Sequence, residues 1–257
     1  MSNRKEQLAA LDRLLTIMDE LRVQCPWDRK QTFESLRHLT IEETYELADA
    51  ILDKDLAGME GELGDLLLHI FFYAKIGSES QSFDIASIAH AICEKLITRH
   101  PHIYGDIKVA DEEDVKRNWE QLKLKEGKES VLSGVPNSLP AIIKASRIQD
   151  KVAGVGFDWE ASHQVLDKVK EELGELSQEV AQGDKDAIEA EFGDVLFSMI
   201  NYARFLGVDP ESALERTNKK FIKRFMYLEK QSKLQGKNIK DMTLAQMEVY
   251  WQEAKKL

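Results

Sequence analysis

Residues Lys170–Leu206 read KEELGELSQEVAQGDKDAIEAEFGDVLFSMINYARFL, and their spacing decides the fold. Glu172 and Glu175 are three positions apart, as are Glu191 and Asp194. On a helix, that spacing puts each pair on one face. Between the pairs lies the breaker Gln182-Gly183-Asp184. Asp186 and Glu189 follow it with the spacing of a capping box, predicting the start of a second helix. Glu175 and Glu191 each lie eight positions from Gly183, and Glu172 and Asp194 each lie eleven. At a rise of about 1.5 Å per residue, two helices folding back at Gly183 bring all four carboxylates to one level.

Four facing carboxylates repel one another unless they turn to water or a cation neutralises them. An all-oxygen donor set on stiff helices suits Mg²⁺ or Mn²⁺, with substrate phosphates and water completing an octahedron.

The chain makes this arrangement twice. Glu43, Glu46, Glu62 and Asp65 become Glu172, Glu175, Glu191 and Asp194 when 129 is added to each number, and the centre moves from Lys54 to Gly183. EGELGDLLLHIFFYAK in the first copy matches EAEFGDVLFSMINYAR in the second. Gly64 and Gly193 stand beside the Asp in each copy; a glycine inside a helix costs about 1 kcal/mol relative to alanine, so both are expected to serve a close helix contact. EKLITRH carries Lys95 and Arg99, and KKFIKRF carries Lys220 and Arg224, each pair on one helical face. CPWD at 25–28 and GFDW at 156–159 precede the acidic helices, and the copies end alike in Trp119–Lys123 and Trp251–Lys255. EGKESVLSGVPNSLPA joins them and has the composition of a linker. The expected organisation is therefore residues 1–127, a linker at 128–140, and 141–257.

Elsewhere apolar residues recur at the helical period, as in Leu11, Leu14, Leu15, Met18 and Leu21, and no segment alternates as a strand does. Helices are predicted from about Phe33 to Leu52 and from about Asp55 to Ile76, and the fold class is all-α, a tandem pair of helical bundles. The formal net charge of -11 argues against a general nucleic-acid binder. Cys25 and Cys93 form no CxxC, no apolar run is long enough to cross a bilayer, and the first residues lack a secretory signal; a cytoplasmic setting is expected.

EETYE at 42–46 with ELGD at 62–65, and EELGE at 171–175 with EFGD at 191–194, resemble the EExxE…ExxD signature of MazG-type nucleoside triphosphate pyrophosphohydrolases. CPWD, RHPHIYGD, GFDW and the closing Trp segments are similar to those of two-domain members, and the resemblance spans nearly the whole chain. It implies helical bundles that pair across a homodimer. It implies Mg²⁺-dependent cleavage of NTPs and dNTPs to the monophosphate and pyrophosphate with wide base tolerance. It also implies metal ligands at Glu172, Glu175, Glu191 and Asp194, nucleotide contacts at Lys168, Lys220, Arg224 and Trp251, and an active second copy.

The residues themselves favour the second copy. Two turns beyond Asp194 lies Asn201, with Ser198 between; the first copy has Phe72 and His69 there. An amide can bind sugar or phosphate, and a phenyl ring cannot, which makes Asn201 a candidate substrate contact. Lys220 and Arg224 sit downstream where phosphates need positive charge. Trp251 can stack on a base or anchor the last helix, and Lys168 can reach phosphate or offset the acidic cluster. Glu171 and Glu175 are both candidates for the general base. Glu43, Glu46, Glu62 and Asp65 form a second set, open to a catalytic, a regulatory or a dimerisation role without activity of its own. Two rival readings are a narrower helical pyrophosphatase of the dUTPase kind and a nucleotide-binding regulator without catalysis. A di-iron bundle needs Glu-x-x-His pairs, and Asp65 and Asp194 stand where the histidines belong.

Overall fold

The computed structural model describes residues 2–106 and 130–256, so the closing segment Trp119–Lys123 and part of the expected linker lie outside the described residues. Among the described residues every regular element is helical. The first unit contains α1 (Arg4–Gln24), α2 (Phe33–Asp53), α3 (Leu56–Glu79), α4 (Ile85–Arg99) and the single turn α5 (Pro101–Tyr104). The second contains α6 (Ala141–Ala153), α7 (Ser162–Gln182), α8 (Lys185–Phe205), α9 (Pro210–Leu234) and α10 (Leu244–Ala254).

Each unit is built on one helical hairpin, α2 with α3 and α7 with α8. The turns are equivalent. Lys54 has φ 57° and Gly183 has φ 82°, both left-handed, and each is followed by an aspartate that caps the next helix. Asp55 accepts from the backbone N–H of Ala57 and Gly58, and Asp184 from those of Asp186 and Ala187. The helix cap anticipated at Asp186 is therefore two residues earlier, at Asp184. Asp184 keeps extended backbone angles right after the left-handed residue, which leaves its carboxylate free to meet the open N–H groups, while Asp186 is already inside the helix.

A helix from outside the hairpin closes each core. In the first unit α1 packs on α3, and Met18, Leu36, Phe72 and Ile76 form a buried cluster backed by Leu39, Leu68 and Tyr73. Arg22 reaches across to Glu79 with a two-pronged ion pair and donates to the Gln31 carbonyl at 3.0 Å. In the second unit α6 packs on α8, and α9 carries α10 through Leu228, Met242 and Tyr250. Part of the expected linker belongs to this packing: Val131–Gly134 forms a 3-10 turn on α6, and the buried Lys151 donates to the Val131 carbonyl at 3.1 Å.

The close helix contact expected at Gly64 and Gly193 is not made within the described chain, since a Cβ at either position would meet no atom within 4 Å. No helix of the described residues is long and apolar enough to cross a membrane.

The paired turns yield a matched stability test. Gly183→Ala adds a Cβ that meets no neighbour, so its expected cost of about 1 kcal/mol comes from the left-handed backbone alone. Lys54→Gly relieves the same strain and should gain about 0.5–1 kcal/mol. Urea midpoints that move in the same direction for both variants would contradict this.

Candidate metal and substrate site

The α7–α8 hairpin brings carboxylate oxygens of Glu172, Glu175 and Glu191 within 4.8 Å of one another. The α2–α3 hairpin does the same with Glu43, Glu46 and Glu62. Asp194 and Asp65, the fourth acids of each set, stand outside these triplets. Asp65 is nonetheless close enough to push the Glu43 carboxyl up, second to desolvation and ahead of Glu46 and Glu62.

In the second unit Glu172 is buried, Glu191 half-buried and Glu175 exposed. A hydrogen bond between Glu172 and Glu175 raises the Glu175 pKa first; desolvation and the charges of Glu172 and Glu191 add to it, and Lys168 opposes. Two carboxyl groups can share such a bond only if one of them holds a proton. Lys168, one turn before Glu172, lies 2.8 Å from both Glu171 and Glu172, and those bonds hold its own pKa well above the usual lysine value. Lys168 therefore compensates part of the acidic charge. Three oxygen donors at this spacing, with one carboxylate buried, fit a hard divalent cation and offer no nitrogen or sulfur ligand to a softer one.

Lys220, Arg224 and Trp251 form a separate group on α9 and α10. The Trp251 ring packs on Phe221 at 4.9 Å between centroids, and the Arg224 guanidinium lies 5.9 Å from the Trp251 ring. Among the described residues no hydrogen bond or ion pair joins this group to the carboxylates. Trp251 is thus an anchor for α10 as the chain stands.

Ser198 is buried and donates its hydroxyl to the Val195 carbonyl at 2.9 Å, so it is committed to its own helix. Asn201 is half-buried, and its Oδ1 accepts from Arg204 at 3.1 and 2.9 Å. In the first unit the matching Phe72 is only 2% exposed and belongs to the core, with Trp27 packed edge-on against it. His69 is buried there with Nδ1 unpartnered, and desolvation pushes its pKa down against the pull of Asp65.

Sequence reading missed what surrounds Asn201. Arg204 forms a two-pronged ion pair with Asp158 of GFDW, and Gln149 of α6 donates to the Phe197 carbonyl at 2.9 Å. The repeat of CPWD and GFDW was the available signal for Asp158. Gln149 carried none, because its role depends on how α6 packs on α8.

A duplicated helical chain whose hairpins each converge three carboxylates is a helical protein with two candidate cation sites. The profile of the MazG nucleotide pyrophosphohydrolase domain matches residues 31–104 and 160–227, and the chain belongs to the MazG family. It is 42% identical to the nucleoside triphosphate pyrophosphohydrolase of Escherichia coli K12 over 255 residues, covering 96% of this chain and 97% of that one. It is 40% identical to the nucleoside triphosphate pyrophosphohydrolase/pyrophosphatase MazG of Thermotoga maritima, covering 98% of each. A Bacillus subtilis protein, the uncharacterized YabN, is 45% identical over 235 residues, which is 90% of this chain and 48% of that one.

The raised Glu175 pKa sets a pH signature for cation binding. Below the ordinary carboxylate value of 4.5 the folded and unfolded chains are equally protonated at this group. As pH rises through the raised folded value, the unfolded chain has already released the proton that the folded chain holds, so the metal-free fold loses stability. A cation displaces that proton. Mg²⁺ at about 100-fold over its Kd should raise Tm by about 5–10 °C at pH 7.5. The rise should be clearly smaller at pH 5; equal shifts in differential scanning fluorimetry would contradict the shared-proton geometry.

Proposed function

We propose that the second unit hydrolyses nucleoside and deoxynucleoside triphosphates to the monophosphate and pyrophosphate, with Glu172, Glu175, Glu191 and Asp194 as the cation ligands. The observation that carries this reading is the convergence of three carboxylates in a MazG-family hairpin. The names of the E. coli and T. maritima relatives support the reaction. Mg²⁺, with Mn²⁺ as an alternative, supplies charge neutralisation and Lewis acidity to the phosphates when bound.

The chain's own residues do the rest. Glu172, Glu175 and Glu191 are held by two stiff helices, so the substrate's phosphates meet a preset frame rather than one assembled at each turnover. Lys168 is bonded to Glu172 in the free chain; once that carboxylate is otherwise neutralised, its ammonium is released toward phosphate. Lys220 and Arg224 add charge where it builds on the leaving pyrophosphate, and Trp251 holds the helix that carries them against α10. A water attacks phosphorus at the α–β linkage, and a carboxylate accepts its proton. Glu171 is the better candidate than Glu175, because it lies outside the converging triplet while remaining next to Lys168.

In the first unit the place of Asn201 is filled by the core residue Phe72, which supports a structural or regulatory role for Glu43, Glu46, Glu62 and Asp65. The two repeats are taken as 1–127 and 141–257 with a linker at 128–140. Exposed Phe192, Leu196 and Met199 form a stripe along α8 beside Gly193, and Leu63 and Ile70 stand exposed at the matching places of α3. Such an apolar stripe supports a homodimer. The free thiols Cys25 and Cys93 are in keeping with a cytoplasmic setting.

Pyrophosphate release from ATP and the four dNTPs tests the reaction. Glu172→Ala should lose about 10²–10³-fold in kcat/KM, whereas Glu43→Ala should stay within a few-fold of the parent. Undiminished turnover in Glu172→Ala, or a large loss in Glu43→Ala alone, would move the chemistry elsewhere. Light scattering after gel filtration should give twice the 29.4 kDa chain mass, and a monomer would contradict the dimer.

A further inference from the structure

Residues 216–240 read RTNKKFIKRFMYLEKQSKLQGKNIK, with nine cations and one acid, Glu229, in a chain of formal net charge -11. The reaction put forward above uses two of those cations, Lys220 and Arg224. Lys230, Lys233, Lys237 and Lys240 lie beyond them, and Lys233 is about 13.5 Å past Arg224 along α9. A cavity of about 650 Å³ opens where the end of α9 meets the chain leading into α10. Its size is within the roughly 300–1,000 Å³ usual for small-molecule sites. Lys233, Lys237, Lys240 and Asn238 line it, and its one acid is the half-buried Glu229. A hollow on the adjoining side of α9 shares Glu229 and Lys233 and adds Lys230.

A locked turn places these lysines. Gly236 takes a left-handed φ of 65° just past the end of α9. Its N–H donates to the Lys233 carbonyl, and the Lys237 N–H to the Ser232 carbonyl, both at 3.0 Å. Ser232 is 1% exposed, and its hydroxyl donates to the Lys237 carbonyl at 2.7 Å. Asn238 Oδ1 accepts from the Lys240 N–H at 3.1 Å, and Ile239 packs on the cluster of Leu228, Met242 and Tyr250. The backbone that carries Lys237 and Lys240 is therefore fixed before any ligand arrives. Among the described residues, no carboxylate pairs with the ammonium of Lys230, Lys233, Lys237 or Lys240. A lysine in the last helical turn, such as Lys233, is favoured by the helix dipole. Lys237 and Lys240 come after the helix has ended and add like charge to the same cavity. Such charges repel, and a bound anion relieves the repulsion.

We propose that this cavity binds a small ligand carrying two or more linked phosphates, at a site separate from the carboxylate hairpin. Lysine is a compact point charge with three donors, which suits the many oxygens of a phosphate chain. The Asn238 amide, its oxygen already taken by Lys240, has its –NH₂ group left to donate. Three ammoniums against the single carboxylate of Glu229 leave positive charge in surplus, and the attraction grows with each charge on the ligand. Free and nucleotide-borne phosphate chains share this chemistry. The site makes no use of a cation at the hairpin, so it stands apart from the hydrolysis put forward above.

Calorimetry in EDTA tests this, because the hairpin carboxylates without a cation repel a phosphate chain. The parent chain should bind inorganic triphosphate, and sulfate about tenfold more weakly or less. Lys233→Gln, Lys237→Gln and Lys240→Gln should each weaken triphosphate binding by about three- to tenfold, and Glu229→Gln should tighten it by about threefold. Lys223→Gln removes the same charge from α9 outside the cavity and should change the affinity by less than about twofold. The three cavity lysines are exposed, so their variants should keep the parent Tm. ATP separates the two sources: equal affinity for ATP and inorganic triphosphate assigns the site to the phosphate chain wherever it is carried, and tighter binding of ATP assigns it to nucleotides. No triphosphate binding in EDTA, sulfate binding of equal strength, or a loss that appears in Lys220→Gln and Arg224→Gln in place of the cavity variants would overturn the proposal.

Discussion

Mutual repulsion among carboxylates is the constraint that organises this molecule. Two helices hold three glutamates of each hairpin within one cation's reach, one of them buried in the second unit. Nothing in the hydrophobic core asks for that. The free chain relieves it in two local ways, with a hydrogen bond from Glu172 that raises the Glu175 pKa and with Lys168 clamped on Glu172. Both are replaceable by a divalent ion, which is the basis for the proposed cation site.

The turn carries the constraint. Gly183 and Asp184 reverse the chain in two residues, which keeps α7 and α8 in register so that residues equidistant from the turn face each other. Lys54 and Asp55 do the same with a less favourable residue in the left-handed position. The first unit thus retains its acidic geometry while Phe72 lies in a buried cluster with Met18 and Leu36, and its counterpart Asn201 lines an open cavity in the second unit. Duplication has preserved the hairpin and let the surroundings diverge.

The hairpins and the acid pairing were legible because helical period and a turn at the symmetry centre are local properties. The cap falls two residues before the one the spacing suggests, since both Asp184 and Asp186 have the chemistry and only the backbone angles after Gly183 choose between them. Gly193 was read as a close contact, yet its surroundings in the chain are empty and an exposed apolar stripe runs beside it. The aromatic cavity was not legible. Gln149, Trp159 and Asn201 come from different elements, and none belongs to an obvious motif with the others until α6 docks on α8.

Anomalous diffraction from a Mn²⁺-soaked crystal addresses the central claim most directly. An ion within coordination distance of Glu172, Glu175 and Glu191, with Lys168 released from Glu172, is the expected result. Crystals that hold Mn²⁺ elsewhere, or that keep Lys168 on Glu172 with no ion among the three carboxylates, would contradict the account.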